Sequence, residues 1–393
     1  MKVCAVTTWP PHKDGVALYS AELYGHIAEL VDVQVIANIP EKPHQDRKVN
    51  GRNVKRSWKR GSCTYPFSIY HSTLKEKPNI VHFQHGWLLY GDILSSPLFI
   101  ILLIFYRLAR KPFLVTMHTV IRRDAHIYEG FLSSLLARVI VFVISRFIVK
   151  VSDKVIVHNH MMKKYLQKEY GLQEEEHKIV VIPHGVRKAS EKPEESQKNR
   201  NRIILSIGFI RKNKGIEQLI MAFRKFIEEY PDSNLIIVGG HHAHDTAENV
   251  EKFRNVLTPN LSKRVSFTGF IDEKSLDKLI ETSDMIVLSS LDRYYIESSG
   301  VLARVADFGK PIICSRVPKF ESELEDGVDC IMIEPGDPEA IAKALFLLME
   351  NVQIKKKIGE NLRRKFKNRY WSDMAEEHYM LYRSMLNLSD KRV

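Results

Sequence analysis

Residues Ser206–Gly215, SIGFIRKNKG, contain the end of a predicted strand, two cations and the start of a predicted helix. Arg211 and Lys214 lie between the apolar strand and Gly215, from which an amphipathic helix follows. A helix N-terminus presents unpaired backbone N–H groups and the positive end of the helix dipole, and both attract anions. Because Arg211 and Lys214 are close in sequence, they can flank one diphosphate. From these residues alone, a solvated turn with two ordinary surface cations stays open as an alternative.

A second helix start occurs in Ser298–Pro311, SSGVLARVADFGKP. Ser298 or Ser299 can cap the helix, and Gly309 with Pro311 ends it. This helix follows a predicted strand, as the first one does. We therefore expect its N-terminal N–H groups to face the same cleft as the two cations.

Predicted strands alternate with helices along both halves of the chain, which favours parallel sheets with right-handed crossovers. In the first half the predicted strands are Val3–Val6, Val33–Ile39, Ile80–Phe83, Phe113–Met117, Lys154–Val157 and Ile179–Ile182. In the second half they are Ile203–Ile207, Leu235–Val238, Val265–Phe267 and Met285–Leu288. The predicted fold class is α/β, with two doubly wound parallel-sheet domains that face each other across a cleft. Ligands of such sheets bind beyond the carboxyl ends of the strands.

Residues 187–202 contain almost no apolar side chains, so we interpret them as a linker between domains. The sequence thus predicts an N-terminal domain at residues 1–186 and a C-terminal domain at residues 203–368. The length of 393 residues suits two domains of ordinary size. Hydrophobic residues make up 44% of the chain and charged residues 27%, as in globular proteins. The net charge of +12 favours acidic partners, namely phosphorylated substrates, anionic lipid or nucleic acid.

The cysteines and the apolar runs indicate the cellular compartment and whether the chain crosses a membrane. The four cysteines are Cys4, Cys63, Cys314 and Cys330, and no pair has the spacing of a metal or redox motif. We therefore expect a reducing, cytoplasmic compartment. Met1 leads directly into a strand, which predicts no signal peptide. The longest apolar run, Pro97–Tyr106, is about half of the ~20 residues that span a bilayer, so we predict no transmembrane helix.

Three other stretches have open interpretations. Gly15, after the first strand, lets a ligand approach the backbone closely, although a plain turn explains it equally. The basic segment Arg47–Arg60 contains Trp58 and is either a solvated loop and strand or a site for an anionic acceptor. Nucleic acid is not favoured, because its binding needs an array of stacking aromatics. The apolar helix Val139–Val151 carries cations along one side, so it is either core or rests on an anionic membrane.

The order of the motifs resembles the glycosyltransferases of family 4. The motifs are PPHKDGV, VHFQHG, VTMHTV, VIVHN, KIVVIPHGV, SIGFIRKNKGIEQLI, LIIVGG, VSFTGFID, SDMIVLSS and SSGVLARVADFGKPIICS. The resemblance covers nearly the whole chain. It implies the GT-B fold, in which two Rossmann-like domains hold a nucleotide-sugar donor in the cleft. It also implies that residues 369–393 form a helix returning to the N-terminal domain.

The resemblance assigns roles to individual residues. The donor diphosphate would be bound by Gly15, Arg211, Lys214, Ser299, Gly300 and Val301. The nucleoside would be bound by Phe270, Ile271, Leu302 and Arg304. His118 matches the histidine that touches the donor sugar near the reacting carbon, and Glu297 is the second catalytic candidate. No metal ligand is expected, since the sequence has no Asp-x-Asp pair.

The chain departs from the family pattern at one place. Most members carry two glutamates eight apart before Gly-Lys-Pro, and those positions hold Ile296 and Arg304 here. Arginine donates hydrogen bonds and cannot accept them from ribose hydroxyls as glutamate does. Arg304 would instead donate to ribose oxygens or act as a third phosphate cation. The SSGVL form is similar to a branch that lacks the paired glutamates.

The resemblance implies a retaining, metal-independent glycosyltransferase of the hexosyltransferase type in carbohydrate biosynthesis. Its donor would be a nucleotide-diphosphate sugar and its acceptor a hydroxyl on a glycan or lipid-linked compound. No cofactor beyond the donor and no nucleic-acid partner are expected. From the charge, we expect an anionic or lipid-linked acceptor and a cytoplasmic location that includes peripheral contact with the membrane. The alternative is a catalytically silent GT-B module that binds a nucleotide sugar or a partner.

Overall fold

The computed structural model describes residues 1–40, 54–92, 95–127, 130–189, 202–240, 253 and 257–388. The chain divides into two units. The first comprises Met1–Gly185, Tyr294–Ser298 and Trp371–Val393, and the second comprises Val186–Arg293 and Ser299–Tyr370. Each unit contains a parallel sheet with helices on its faces, which confirms the predicted class of two doubly wound domains.

The sheet of the first unit has seven parallel strands. They are β1 (Lys2–Thr7), β2 (Asp32–Asn38), β3 (Lys55–Trp58), β4 (Ile80–His85), β5 (Phe113–Met117), β7 (Lys154–Val157) and β8 (Ile179–Val181). Their order is β3-β2-β1-β4-β5-β7-β8, so the order reverses between β1 and β4. A short antiparallel pair, β6 (Thr119–Ile121) with β13 (Tyr295–Glu297), extends from the end of β5.

Helices cover both faces of this sheet. They are α1 (Gly15–Leu30), α2 (Tyr65–Lys75), α3 (Leu98–Leu108), α4 (Phe131–Val151), α5 (His160–Glu169) and the C-terminal helix Trp371–Met385. Apolar residues of α2, α3 and α4 share one buried cluster, and residues of α1 and the C-terminal helix share another. The two clusters lie on opposite faces because successive strand residues alternate between them: Val3 and Ala5 belong to one, Cys4 and Val6 to the other.

The second unit repeats this arrangement with six strands. They are β9 (Arg202–Ile207), β10 (Ser233–Val238), β11 (Val265–Gly269), β12 (Met285–Leu288), β14 (Ile312–Ser315) and β15 (Ile331–Ile333). The order β11-β10-β9-β12-β14-β15 reverses between β9 and β12. The helices are α6 (Ile216–Glu229), Pro259–Ser262, Glu273–Thr282, Gly300–Val305, Pro318–Glu321, Pro338–Glu350 and Val352–Phe366.

Two predicted segments fall partly outside the described residues. Of the linker 187–202, residues 190–201 lie outside them, and the Ala189 N–H donates to Asp307 Oδ2 within the second unit (2.8 Å). Of the basic segment Arg47–Arg60, residues 47–53 lie outside them, and residues 55–58 form β3. Trp58 is buried, so its ring is not a stacking surface for nucleic acid.

The apolar helix predicted at Val139–Val151 begins earlier, at Phe131. Within it, Leu132–Val151 is long and apolar enough to cross a membrane. The prediction of no transmembrane helix rested on the run Pro97–Tyr106, and because this helix was predicted to begin only at Val139, its spanning length was not expected. The strands β5 and β7, on either side of α4 in the chain, are parallel neighbours in one sheet. A spanning helix would separate them by the thickness of a bilayer, so α4 belongs to the folded unit.

Candidate functional site

The basic turn of the second unit lies at the point where the strand order reverses. After β9, residues Lys212–Lys214 form one turn of 3-10 helix, and the Lys214 N–H donates to the Arg211 carbonyl (3.1 Å). Ser289, just after the neighbouring strand β12, donates from Oγ to the Lys214 carbonyl (2.6 Å). The turn is therefore fixed at the carboxyl edge of the sheet, where doubly wound folds bind ligands.

Gly215 is required by the geometry of this turn. Its φ is +61°, the left-handed region that side chains disfavour. A Cβ built on it would also lie 3.2 Å from Ser289 Cβ. The turn then continues directly into α6, whose apolar face packs in the core of the second unit.

The helix Gly300–Val305 begins beside the same strand end. Ser299 is its N-cap and accepts the Leu302 N–H through Oγ (3.2 Å), which resolves the choice between Ser298 and Ser299. A Cβ on Gly208, one residue after β9, would lie 3.7 Å from Val301 Cγ2. The predicted phosphate-binding residues of this helix and the basic turn therefore share one edge of the sheet.

The residues predicted to bind the nucleoside differ from one another in how far they are exposed. The Phe270 ring is 51% exposed, and its edge contacts the backbone of Gly240, where a Cβ would come within 2.3 Å of it. Phe209 follows β9 and Phe270 follows β11, and their rings lie 6.0 Å apart. Ile271 is half-buried against the core. Leu302 is fully buried in that core, so its side chain has no surface to offer a nucleoside.

Arg304, at the position of a family glutamate, belongs to an ion-pair network. Its Nη atoms donate to Glu273 and to Asp277 Oδ1 (2.8 Å). Arg187 donates to the same two carboxylates, at 2.8 Å and 2.9 Å. Two guanidinium groups thus balance two carboxylates, and the local charge is close to zero. Because the Arg304 guanidinium is paired with two carboxylates, its charge is compensated, which argues against the expected role as a third phosphate cation.

In the first unit, Gly15 starts α1 immediately after its cap. Asp14 Oδ1 accepts the Ala17 N–H (2.6 Å), and Asp14 Oδ2 lies 3.1 Å from His12 Nε2. Burial would raise the pKa of Asp14, but the hydrogen bonds from His12 and Ala17 outweigh it and hold the pKa below its usual value. A Cβ on Gly15 would meet nothing within 4 Å, so local packing does not require glycine there.

His118 is held through both ring nitrogens. Its Nε2 lies 2.7 Å from the Gln84 side-chain amide, and its Nδ1 lies 3.2 Å from His158 Nε2. His158 Nδ1 in turn lies 3.1 Å from the Ile182 carbonyl, which only accepts. Burial is the main reason why the pKa of His118 falls well below its usual value, so the ring is neutral near pH 7.

The proton positions in this series of hydrogen bonds follow from the Ile182 carbonyl, where the series ends. The Ile182 carbonyl requires a proton on His158 Nδ1, so a neutral His158 accepts from His118 at Nε2. A neutral His118 then carries its proton on Nδ1 and presents an unprotonated Nε2 to Gln84. In the structure Gln84 Oε1 faces His118 Nε2 at 2.7 Å, and Gln84 Nε2 donates to the Tyr24 hydroxyl (2.7 Å). This proton assignment therefore requires the amide to be rotated by 180°, so that its NH2 group donates to His118 Nε2 and its oxygen accepts from the Tyr24 hydroxyl.

Glu297 lies beside His118, although the two are far apart in sequence. Glu297 pairs with Thr119 across the β6–β13 ladder and accepts a hydrogen bond from Thr119 Oγ1 (3.2 Å). Tyr19 of α1 packs its ring edge on the His118 ring at 4.7 Å. The structure therefore brings His118 and Glu297 together in the first unit, and Tyr19 places α1, which begins at Gly15, against the His118 ring.

Sequence reasoning missed several residues of this region. Gln84, His158 and Tyr19 hold the His118 ring, and Ser289 holds the basic turn. Gln84 and His158 stand out only as polar residues at the ends of apolar strands, a weak signal. For metals, no group of three or more ligating side chains occurs within the part of the chain that the structure describes.

Comparison with known proteins identifies the family. The family profile described as Glycosyltransferase Family 4 matches residues 13–189, and the one described as Glycosyl transferases group 1 matches residues 187–365. The chain belongs to glycosyltransferase family 4. The resemblance read from the motifs is thereby confirmed.

Relatives of this family 4 member are distant. An uncharacterized glycosyltransferase of Methanocaldococcus jannaschii is 24% identical over 251 residues, which cover 62% of this chain and 62% of the relative. Alpha-D-kanosaminyltransferase of Streptomyces kanamyceticus is 25% identical over 159 residues, which cover 40% and 39%. The chain thus matches less than two thirds of the length of these curated relatives.

Solved structures show the same fold over the whole chain. Sucrose-phosphate synthase from Thermosynechococcus elongatus has a TM-score of 0.77 at 18% identity and covers 99% of this chain and 100% of its own. HepE of Anabaena, in complex with UDP-glucose, has a TM-score of 0.73 at 14% identity, with coverages of 98% and 100%. Family and fold together confirm the GT-B prediction for the family 4 member.

Proposed function

We propose that the protein transfers a hexose from a nucleotide-diphosphate sugar to a hydroxyl acceptor, with retention of the anomeric configuration and without a metal ion. The observation that carries this proposal is the basic turn of Arg211 and Lys214, fixed by Ser289 at the strand reversal of the second unit. Family membership supports it. The UDP-glucose bound by HepE makes uridine diphosphate sugars the first donors to test.

In this proposal the second unit stabilises the leaving group. Negative charge develops on the diphosphate as the glycosidic bond to the donor sugar breaks. Preorganised cations stabilise that charge at the moment it appears, and such electrostatic stabilisation usually contributes more to catalysis than any other single effect. Arg211 and Lys214 have this role. The leaving phosphate takes the proton of the acceptor hydroxyl.

The first unit supplies the groups for the donor sugar. His118 is neutral, so it offers polar contacts to the sugar without adding a charge next to the leaving group. Glu297 accepts hydrogen bonds from sugar hydroxyls. The absence of an Asp-x-Asp pair in the sequence supports the metal-independent mechanism.

The acceptor is a hydroxyl of an anionic or lipid-linked compound, handled at the cytoplasmic face of a membrane. The net charge of +12 supports an acidic partner. An anionic or lipid-linked acceptor fits a role in glycan or glycolipid biosynthesis.

The test compares Lys214→Ala with Lys212→Ala, an exposed lysine of the same turn. Release of nucleoside diphosphate is measured with uridine, guanosine and adenosine diphosphate sugars. Loss of a charge-assisted hydrogen bond lowers kcat/KM for the preferred donor by about 10- to 100-fold in Lys214→Ala. Lys212→Ala keeps the wild-type value within about twofold. Equal values for the two variants would contradict the assignment of Lys214.

The second candidate is a catalytically silent module that binds a nucleotide sugar. The ion pairs of Arg304 favour it, because the position of a family glutamate is occupied by a group that accepts no hydrogen bonds. Donor binding by calorimetry without turnover on any donor, hydrolysis included, would establish the silent module. Turnover that Lys214→Ala lowers and Lys212→Ala does not would exclude it.

A further inference from the structure

Three neighbouring helices of the first unit expose apolar side chains on their outer faces. α2 contacts α3, and α3 contacts α4. Their inner faces pack in the same buried cluster, so the three helices lie side by side over one face of the sheet. Their outer faces therefore form one continuous surface.

The largest part of this surface is a stripe on α4. Leu132, Leu135, Leu136, Val139 and Val143 recur at intervals that place them on one side of a helix, and all are exposed. The opposite side of α4 is buried. Leu132 is 77% exposed and Leu136 is 61% exposed, values unusual for leucines in a folded unit.

The two other helices extend the stripe. On α3, Ile101, Ile104 and Leu108 are exposed, and Leu108 is 76% exposed. On α2, the exposed Phe67 ring lies 5.2 Å from the Phe105 ring of α3. We call these nine exposed side chains, on α2, α3 and α4, the apolar patch. Contiguous exposed apolar surfaces of this kind mark interaction sites.

The charges of the same helices all have one sign. α2, α3 and α4 contain no aspartate or glutamate, and they carry Lys75, Arg107, Arg138, Arg146 and Lys150. Directly after α3, Arg110 and Lys111 are also exposed. Two acidic groups approach these cations from neighbouring segments: Asp153 pairs with Arg107 at 3.2 Å and Glu175 with Lys150 at 3.9 Å. Positive charge remains in excess around the patch.

We propose that the apolar patch docks the first unit on the surface of an anionic lipid bilayer. The exposed leucines, valines and isoleucines enter the boundary between headgroups and acyl chains, and the cations around them contact lipid phosphates. Apolar burial and attraction to anionic lipid together drive the interfacial binding of helices. The helices lie on the membrane and do not cross it, because α4 links two neighbouring strands of one sheet.

A second copy of the chain fits this surface less well. A two-fold interface places the same patch on both sides. Arg110 and Lys111 of the two copies would then lie in one interface, with no acidic side chain on α2, α3 or α4 to pair with them. Like charges brought together across an interface disfavour association.

The test is co-sedimentation of the full chain with vesicles, without any sugar nucleotide. Its outcome is therefore independent of the proposed transferase activity. Vesicles of phosphatidylcholine alone are compared with vesicles containing phosphatidylglycerol as well. Wild-type protein binds the anionic vesicles, and binding weakens as salt is raised.

Two variant pairs separate the apolar and the cationic contributions. Leu132→Ser with Leu136→Ser lowers the partition coefficient by about tenfold or more, since two inserted leucines are lost. The control, Val352→Ser with Ile354→Ser, removes two exposed apolar side chains of the second unit and leaves binding unchanged. Arg110→Gln with Lys111→Gln reduces binding to anionic vesicles only. Because all these side chains are exposed, the variants keep the wild-type circular dichroism spectrum.

Three results would overturn the proposal. One is wild-type protein that does not bind anionic vesicles at low salt. Another is the serine pair on α4 binding as tightly as the wild type. The third is a wild-type dimer in analytical ultracentrifugation that the same serine pair converts to a monomer, which would assign the patch to a second copy.

Discussion

His118 illustrates how a polar residue is oriented inside an apolar sheet. Gln84 and His158 contact its two ring nitrogens, so the ring cannot rotate without losing a hydrogen bond. Any contact that His118 makes with a donor sugar therefore depends on residues that do not touch the sugar. In this account Gln84 and His158 are positioning residues.

Gln84→Met tests that dependence. The change removes the partner of His118 Nε2 and leaves a buried hydroxyl, that of Tyr24, unpaired, so the unfolding free energy falls by about 1–3 kcal/mol. We expect kcat to fall by about tenfold while the donor Kd stays unchanged, because the diphosphate contacts are not affected. Gln34→Met, on β2, is the control for loss of a buried amide. A lower donor affinity with unchanged kcat would contradict the positioning role.

Gly15→Ala is a second test at this scale. A Cβ at Gly15 meets no atom within 4 Å, and its φ is not positive, so the unfolding free energy changes by less than about 0.5 kcal/mol. If a ligand approaches the backbone there, the added methyl group lowers donor or acceptor affinity. Calorimetry with the donor and steady-state kinetics with the acceptor measure this. Unchanged kcat/KM for both substrates would remove Gly15 from the site.

Ion pairs between two helices determine the role of the Arg304 side chain. The helix Gly300–Val305 presents Arg304 to Glu273 and Asp277 of the helix Glu273–Thr282. A glutamate in its place would face two carboxylates. The sequence shows the departure from the family pattern, and the structure shows its compensation on a neighbouring helix.

Arg304→Glu therefore does not restore the family pattern. We expect the unfolding free energy of the variant to fall by about 1–3 kcal/mol, since charged hydrogen bonds are lost and like charges meet. When Glu273→Gln and Asp277→Asn are added to Arg304→Glu, most of the lost unfolding free energy is recovered, because the repelling carboxylates are absent. Urea denaturation measures both. A stable single variant with increased turnover would show that the network has no such role.

Buried histidines make the first unit sensitive to acid. Burial lowers the pKa of His85 to about 4, of His158 to about 3 and of His378 to about 4, from an ordinary value of 6.5. Below pH 6.5 the unfolded chain takes up protons on these rings and the folded chain does not. The stability that they contribute is complete above pH 6.5 and is lost as the pH falls toward 4.

Urea denaturation between pH 7.5 and 5 checks this. Each such histidine contributes about 1.4 kcal/mol of unfolding free energy per pH unit below 6.5. His378→Phe removes one of them, together with an Nε2 atom that has no partner within the described residues, and the slope becomes smaller by that amount. His71→Asn, at an exposed position, controls for loss of a histidine elsewhere. A slope unchanged in His378→Phe would contradict the account.

At the scale of the whole molecule, the sequence predicted the two α/β domains because hydrophobic periodicity is local. Strand Phe113–Met117 and the end of β12 at Leu288 were predicted to the residue. The membership of Tyr294–Ser298 in the first unit was not predictable, because it depends on pairing between β6 and β13 over a long sequence separation. For the helix Val139–Val151 the sequence left two interpretations open, core or contact with a membrane, since exposure is decided by packing and the sequence shows only apolar residues with cations.

We propose above all that Arg211 and Lys214 hold the diphosphate of a sugar nucleotide. A crystal structure of the protein with the nucleoside diphosphate that it binds most tightly tests this directly. We predict phosphate oxygens within hydrogen-bond distance of Lys214 Nζ and the Arg211 guanidinium, at the carboxyl edge of β9. A nucleotide bound with its phosphates away from this edge, or nowhere on the second unit, would contradict it.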